Sequence, residues 1–403
     1  MKNANEHSLV GKLTLLDVLP VLLLASTASI MATDLYAPSL PDLPALLDTT
    51  PLWVKLTLSL NVLALGVTQL IHGPLSDRYG RRKAMLVGMV VFSLASLGCS
   101  LATSIEQLLF FRVLQGTAAA VEAVVGLAVI REVFTPQDQV RAFAWFGIVI
   151  AMVPAAAPIL GGYVHVWLGW RANFWIMTIA GALSVLLVWW KLPESAPPDR
   201  QPLIPRDVVK ENFALLKNNQ FFGFALLEAM ALAVIFAFIT ASPFILIGRF
   251  GVPTEQFGYY QMVIVAAYAV GSVLAERLAK HFDPMRILHL GLVVFGVGIV
   301  SVVAVVASGL LSPVSLTITM SVVLFGAGPL FATCPVLALN AAEGRGGVAA
   351  ALLGATEMGI GGLASATVGV LPWRSSVSLA VVLVTLLTGA VLAYGMGRKG
   401  QRS

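Results

Sequence analysis

Gly73-Pro74-Leu75-Ser76-Asp77-Arg78-Tyr79-Gly80-Arg81-Arg82-Lys83 is a short, basic interruption between two long apolar runs, 54–73 and 84–103. Each run has the roughly 20 residues that a helix needs to cross a hydrocarbon core of about 30 Å. Both are continuously apolar rather than alternating, which favours helices over the strands of a barrel. Within the connection, Gly73 allows close helix approach and Gly80 allows a sharp turn. Asp77 stands where it can pair with the basic cluster or cap a neighbouring helix N-terminus. The segment therefore reads as a tight loop joining two membrane helices.

The same pattern repeats outward in both directions. Spans are predicted at 15–37, 54–73, 84–103, 106–130, 142–165, 172–192, 221–247, 257–279, 286–307, 312–337, 347–369 and 376–396. The chain of 403 residues is 58% hydrophobic and 11% charged, with mean hydropathy +0.89. A soluble domain carries about a quarter charged residues, so water is excluded as the main solvent. Residues 2–12 followed by an apolar run imitate a signal peptide, but 13–37 is long enough to span and is read as a retained first helix. The longest polar stretch holds Pro197, Pro198, Pro202 and Pro205, then an amphipathic piece at 206–217. It divides the chain into an N-terminal six-helix bundle (1–193), a central loop (194–220) and a C-terminal six-helix bundle (221–403). The fold class is all-α and integral to the membrane.

Lysine and arginine sort by side. Twenty of the twenty-five fall on the side of the termini and the central loop. Lys55, Arg171, Arg249 and Arg374 fall on the other, and Arg112 lies inside the membrane. The positive-inside rule then places both termini in the cytoplasm. Because the basic charge is spread over short loops, nucleic acid is excluded as a partner. Trp53, Trp167, Trp170, Trp189, Trp190 and Trp373 stand near span ends, as interfacial anchors do. Cys99 and Cys334 both lie in apolar runs without metal-ligand spacing, so neither a disulfide framework nor a metal site is implied.

Chemistry that needs a nucleotide or a nucleophile finds no motif. No Gly-x-x-x-x-Gly-Lys-Ser/Thr loop is present, and Gly395-x-Gly397-x-x-Gly400 lies in the charged tail with neither a strand nor a helix expected after it. The five histidines do not cluster, and His165 reads as an interfacial residue. The chain is read as a non-enzyme without a cofactor, driven by a proton gradient.

The 73–83 segment resembles the signature loop of the major facilitator superfamily. Gly271-Ser272-Val273-Leu274-Ala275-Glu276-Arg277-Leu278-Ala279-Lys280 is its weaker echo in the second half, as parallel repeats imply. Phe111-Arg112-Val113-Leu114-Gln115-Gly116 resembles the arginine motif of proton-coupled members. Ala157-Pro158-Ile159-Leu160-Gly161-Gly162 is similar to the antiporter motif, with Ala157 in place of its usual glycine. Thr33-Asp34-Leu35-Tyr36-Ala37-Pro38 is similar to the bicyclomycin and chloramphenicol resistance branch of the drug:proton antiporters. The resemblance implies two six-helix pseudo-repeats, a monomer in a bacterial inner membrane, and export by alternating access. It also implies a conformational role for Gly73, Asp77, Arg78, Gly80, Arg81, Pro158, Gly161 and Gly162.

Five charged residues are read as lying inside the membrane, Asp34, Arg112, Glu122, Glu228 and Glu357, the other acids falling in loops or near span ends. A charge at the bilayer centre costs about 3 kcal/mol or more, so such residues face the bundle interior and mark function. Asp34, late in span one, and Arg112, early in span four, are expected to approach each other, with Asp34 as the proton carrier and Arg112 as its modulator. Glu122 shares a helix face with Gln115 and is a second proton candidate. The expected substrate cavity is lined by Asn61, Gln115, Glu228, Phe236, Tyr268 and Glu357, with Gln69, Phe244, Tyr259, Tyr260 and Asn340 as further candidates. The function expected is proton-coupled efflux of small, partly apolar compounds. The alternative is a dedicated carrier of one metabolite such as a siderophore, sugar or organic acid.

Overall fold

A computed structural model describes residues 15–196, 206–342, 346–371 and 374–402. The expected anchor Trp373, Arg200, Arg345, the basic residues of 1–14 and the four linker prolines lie outside the described residues. Among the described residues, twelve helices are long and apolar enough to cross a membrane. They are α1 Leu15–Asp34, α2 Pro51–Tyr79, α3 Arg81–Leu101, α4 Ile105–Val133, α5 Pro136–Leu168, α6 Trp170–Lys191, α7 Asn219–Leu246, α8 Phe257–Leu278, α9 Pro284–Ala307, α10 Pro313–Asn340, α11 Gly346–Val370 and α12 Ser375–Arg402. The amphipathic piece is a helix, Arg206–Lys217, that turns Leu215 inward. The face carrying the α2–α3 turn is called face A, and the face carrying the α1–α2 connection is called face B.

Helix starts follow local chemistry. Ser104, Thr135, Asn218, Asp283 and Ser312 accept from first-turn amides of α4, α5, α7, α9 and α10, satisfying donors that hydrocarbon leaves without water. The expected loop at 73–83 is a correction. α2 runs through Gly73 and Pro74 to Tyr79, α3 begins at Arg81, and the connection is Gly80 alone with φ +103°. Only glycine adopts that backbone without strain. Gly73 is not needed for close approach, since a Cβ there would meet Val124 Cγ1 at an ordinary 3.8 Å.

Two hydrophobic clusters form. One is built wholly from residues 215–394, and the other from residues 15–192 joined by Phe236 and a few neighbours from the second half. The halves meet along two seams, α2 against α11 and α5 against α8. Among the described residues, three hydrogen bonds join them: Lys55 Nζ to Ser375 Oγ at 3.1 Å, Ser59 to Ser365 at 2.7 Å, and Tyr163 to Tyr259 at 3.2 Å. All three lie in the face-B half of the membrane, so the halves are fastened on face B. Trp53, Trp167, Trp189 and Trp190 are exposed near helix ends, as anchors would be. Trp170 is not: it is buried, edge-on to Phe174 and beneath the Arg171 guanidinium.

Candidate functional site

The N-terminal half is organised around Arg112 on α4, which is completely buried. Its Nη1 donates to Ala32 O at 2.8 Å and to Gln115 Oε1, and its Nε donates to Thr57 O at 3.2 Å. The guanidinium lies 4.5 Å from the Tyr36 ring centre, and Tyr36 Oη bonds Thr57 Oγ1 at 2.7 Å. Among the described residues no carboxylate lies within ion-pair distance of Arg112. The charge is held by carbonyl dipoles and an aromatic face, a planar fork suited to both.

Asp34 is therefore not Arg112's partner. Arg112 takes Ala32 O from the last turn of α1 and the Tyr36 ring from the turn just beyond it, while the Asp34 carboxyl, between them in sequence, makes neither contact. It is buried at the end of α1 and in no ion pair among the described residues. Glu122, ten residues along α4 from Arg112, is also buried and accepts from Ser26 Oγ of α1. The two N-terminal carboxyls thus stand apart, Asp34 ending α1 and Glu122 on α4 meeting α1 at Ser26.

Asn61 and Gln115 do not line a cavity. Asn61 Nδ2 donates to Arg112 O at 2.9 Å, and Gln115 Nε2 donates to Ser96 Oγ at 2.8 Å and approaches Met177 Sδ. Both side chains are sealed, 1% and 0% exposed: Gln115 spends both ends of its amide on α3, α6 and Arg112, and Asn61 spends its Nδ2 on α4 while its Oδ1 stays buried without a partner.

In the C-terminal half the arrangement differs. Glu228 on α7 and Glu357 on α11 stand within electrostatic reach of one another, and Glu228 Oε2 and Glu357 Oε1 are buried without a hydrogen-bond partner. Two ionised carboxylates that close repel, and a proton on one of them removes the repulsion. Glu228 is buried and Glu357 partly exposed. Tyr268 on α8 stands within electrostatic reach of Glu228 and sets its ring edge-on against Phe331, 5.8 Å away. Phe236 on α7 touches α11 at Gly361 and joins the N-terminal cluster, which places it at the seam between halves.

The conformational motif is a polar lock on face A. Arg81 Nη2 meets Asp77 Oδ1 at 2.5 Å and Glu132 Oε1 at 2.9 Å, while its Nη1 donates to Ser76 Oγ. Its backbone N–H donates to Glu194 Oε1 at 2.6 Å, and Ser195 Oγ donates to Glu132 Oε2 at 2.7 Å. Glu132, Glu194 and Ser195 were missed from sequence; their signal is position, at the ends of α4 and α6 beside the α2–α3 turn. Arg78 is exposed and stacks on Tyr79. In the echo segment, Glu276 and Arg277 are exposed and in no ion pair among the described residues.

On α5, Pro158 is buried and the adjacent glycines face opposite ways. A Cβ on Gly161 would strike Leu35 O, next to Asp34, and a Cβ on Gly162 would come within 2.5 Å of Thr254 O in the other half. One glycine therefore seats α5 on α1, and the other closes the seam on face B.

Twelve membrane helices in two halves, enclosing buried carboxyls, define a membrane transporter class rather than a receptor or a membrane enzyme. The chain belongs to the major facilitator superfamily: the model of that family matches residues 22–366. A bicyclomycin resistance protein homolog of Haemophilus influenzae is 26% identical over 364 residues, covering 90% of this chain and 91% of the relative. The chloramphenicol resistance protein CraA of Acinetobacter baumannii is 28% identical over 362 residues, covering 87% and 85%. The fold is that of a bacterial homolog to the human lysosomal transporter Spinster, with TM-score 0.71, 16% identity and 96% of both chains covered. The chain is thus a multi-pass membrane transporter of small molecules.

Proposed function

We propose that the protein is a proton-coupled exporter of small, partly apolar compounds, antibiotics among them, in a bacterial inner membrane with face A toward the cytoplasm. Three things support the reading: the named activities of the resistance relatives, the sorting of basic residues, and one observation that carries it. Asp34, Glu122, Glu228 and Glu357 all lie within the spans, and none is in an ion pair among the described residues. A carboxylate kept from water without a cation is costly, and a proton removes that cost. Groups of this kind bind protons in one conformation and release them in another that admits water.

In the proposed cycle the halves rock about the seam between them. With face B closed, substrate enters from face A toward Phe236, Glu357 and the neighbouring apolar walls. When face B opens, protons load Asp34 and Glu122 from that side, substrate leaves, and the protonated carrier returns. Arg112 acts on Asp34 at a distance, by gripping Ala32 at the end of α1 and Tyr36 in the turn after it rather than by touching the carboxylate. The protein works as a monomer in this reading.

The experiment is transport in everted vesicles with a panel of amphenicols, bicyclomycin and lipophilic cations. Uphill accumulation should stop when the pH gradient is dissipated. Accumulation that continues unchanged would leave the fold standing and defeat proton coupling.

A further inference from the structure

Three of the four basic residues on face B converge on one cavity of about 680 Å³. Lys55 comes from α2, Arg249 from just beyond α7, and Arg374 from just before α12. The fourth, Arg171, is engaged elsewhere, donating to Ala102 O at 2.9 Å. No aspartate or glutamate is among the described residues that line the cavity, and none of its three cations is in an ion pair.

Lys55 is 5% exposed. Its ammonium has Ser375 Oγ at 3.1 Å and the Phe244 ring centre at 4.9 Å, neither of which carries charge. A buried cation without a counter-ion is costly to keep. Arg249 spends one donor on Ser376 Oγ at 2.9 Å and keeps the rest of its fork free. α2 and α12, 29 and 28 residues long, both start in the cavity wall, and the Thr50 side chain does not cap α2. The α2 amides just beyond Pro51 and the positive dipole ends of both helices add to the same field.

We propose that this cavity binds a phosphate-bearing anion, and that the bound anion holds the two halves together on face B. The donor set is that of a phosphate site: guanidinium forks, an ammonium, hydroxyls and helix N-termini. The volume accommodates a phosphate ester rather than a bare ion. Lys55 belongs to the N-terminal half and every other donor named except the α2 amides to the C-terminal half. Opening face B would part Lys55 from Ser375 and split the site, so occupancy favours the conformation seen here. An anionic phospholipid headgroup and soluble phosphate share this chemistry.

The test uses the full chain in nanodiscs of phosphatidylcholine alone or doped with phosphatidylglycerol, and in detergent with inorganic phosphate against chloride at equal ionic strength. Thermal unfolding and native mass spectrometry report binding. Labels at Trp167→Cys and Thr254→Cys report closure of face B. Wild type should be stabilised and its label distance narrowed by phosphatidylglycerol, by phosphate, or by both, which tells the lipid source from the soluble one. Arg249→Gln/Arg374→Gln, both at exposed positions, should bind about tenfold more weakly and lose the narrowing. Lys55→Met should show the same loss. Equal response of the wild type and the double variant, or no response of the wild type to either anion, would overturn the proposal.

Discussion

The interiors of the two halves hold their charge in opposite ways. In the N-terminal half a buried cation, Arg112, is held by backbone carbonyls, Gln115 and Tyr36, while Asp34 and Glu122 stand apart from it. Among the described residues of the C-terminal half no cation is buried beside the acids, and Glu228 and Glu357 stand within electrostatic reach of each other across α7 and α11. The difference teaches that internal repetition extends to the helices and not to their chemistry. The N-terminal interior is a fixed scaffold with Asp34 at the end of α1 and Glu122 set against that helix. The C-terminal interior is a pair of neighbouring carboxyls whose mutual repulsion a proton would remove.

The largest effect should come from Arg112→Leu. It strands two carbonyls and Gln115 in hydrocarbon, at a cost of about 1–3 kcal/mol per unsatisfied group. Thermal unfolding in detergent should show a loss large enough to lower the yield of folded protein, whereas Arg112→Lys should retain part of it. If Arg112→Leu is as stable as wild type, the scaffold description of this half is wrong.

Next is Gly162→Ala. The added methyl meets Thr254 O and the Glu255 backbone, and overpacking of this kind costs about 1–3 kcal/mol. Because the strain falls on the face-B seam, it should shift the population toward opening on that face. Accessibility of a cysteine at Tyr259 to a membrane-impermeant reagent added on face B should rise. Unchanged labelling would show that the seam yields freely.

Smaller in stability and more selective in function is the carboxyl pair. Glu228→Gln or Glu357→Gln keeps the side chain's size and polarity and removes one titrating group of the pair, so unfolding should change by no more than about 1 kcal/mol. Vesicle uptake of a lipophilic cation should fall, and uptake of a neutral amphenicol should persist. Equal loss of both substrates would reduce the pair to a structural tie. Smallest is Ser26→Ala, which removes one donor from Glu122 and should cost about 1 kcal/mol in thermal unfolding.

Much of the fold was legible because the bilayer imposes a length on every span: all twelve helices were read with ends shifted by a few residues. The α2–α3 connection was misread because polar residues in 73–79 look like a loop, whereas a helix projecting past the hydrocarbon tolerates them. Depth was legible too, since Asp34, Arg112, Glu122 and Glu228 are all buried. Partnership was not. Whether Asp34 meets Arg112 depends on the rotation of α1 about its axis, and a two-residue offset reverses it. Asn61 and Gln115 were misplaced for a related reason: an amide suited to a ligand is equally suited to tying helices together. The face-A partners Glu132 and Glu194 are distant in sequence from Arg81, and only folding brings them to it.

The central claim is that Asp34 carries the coupled proton. The most direct measurement is substrate-driven proton release in everted vesicles, comparing wild type with Asp34→Asn at matched expression. The account predicts a prompt pH change on adding an amphenicol to wild type, and none with the variant, which still inserts and folds. A variant that releases protons and accumulates drug as wild type does would contradict it.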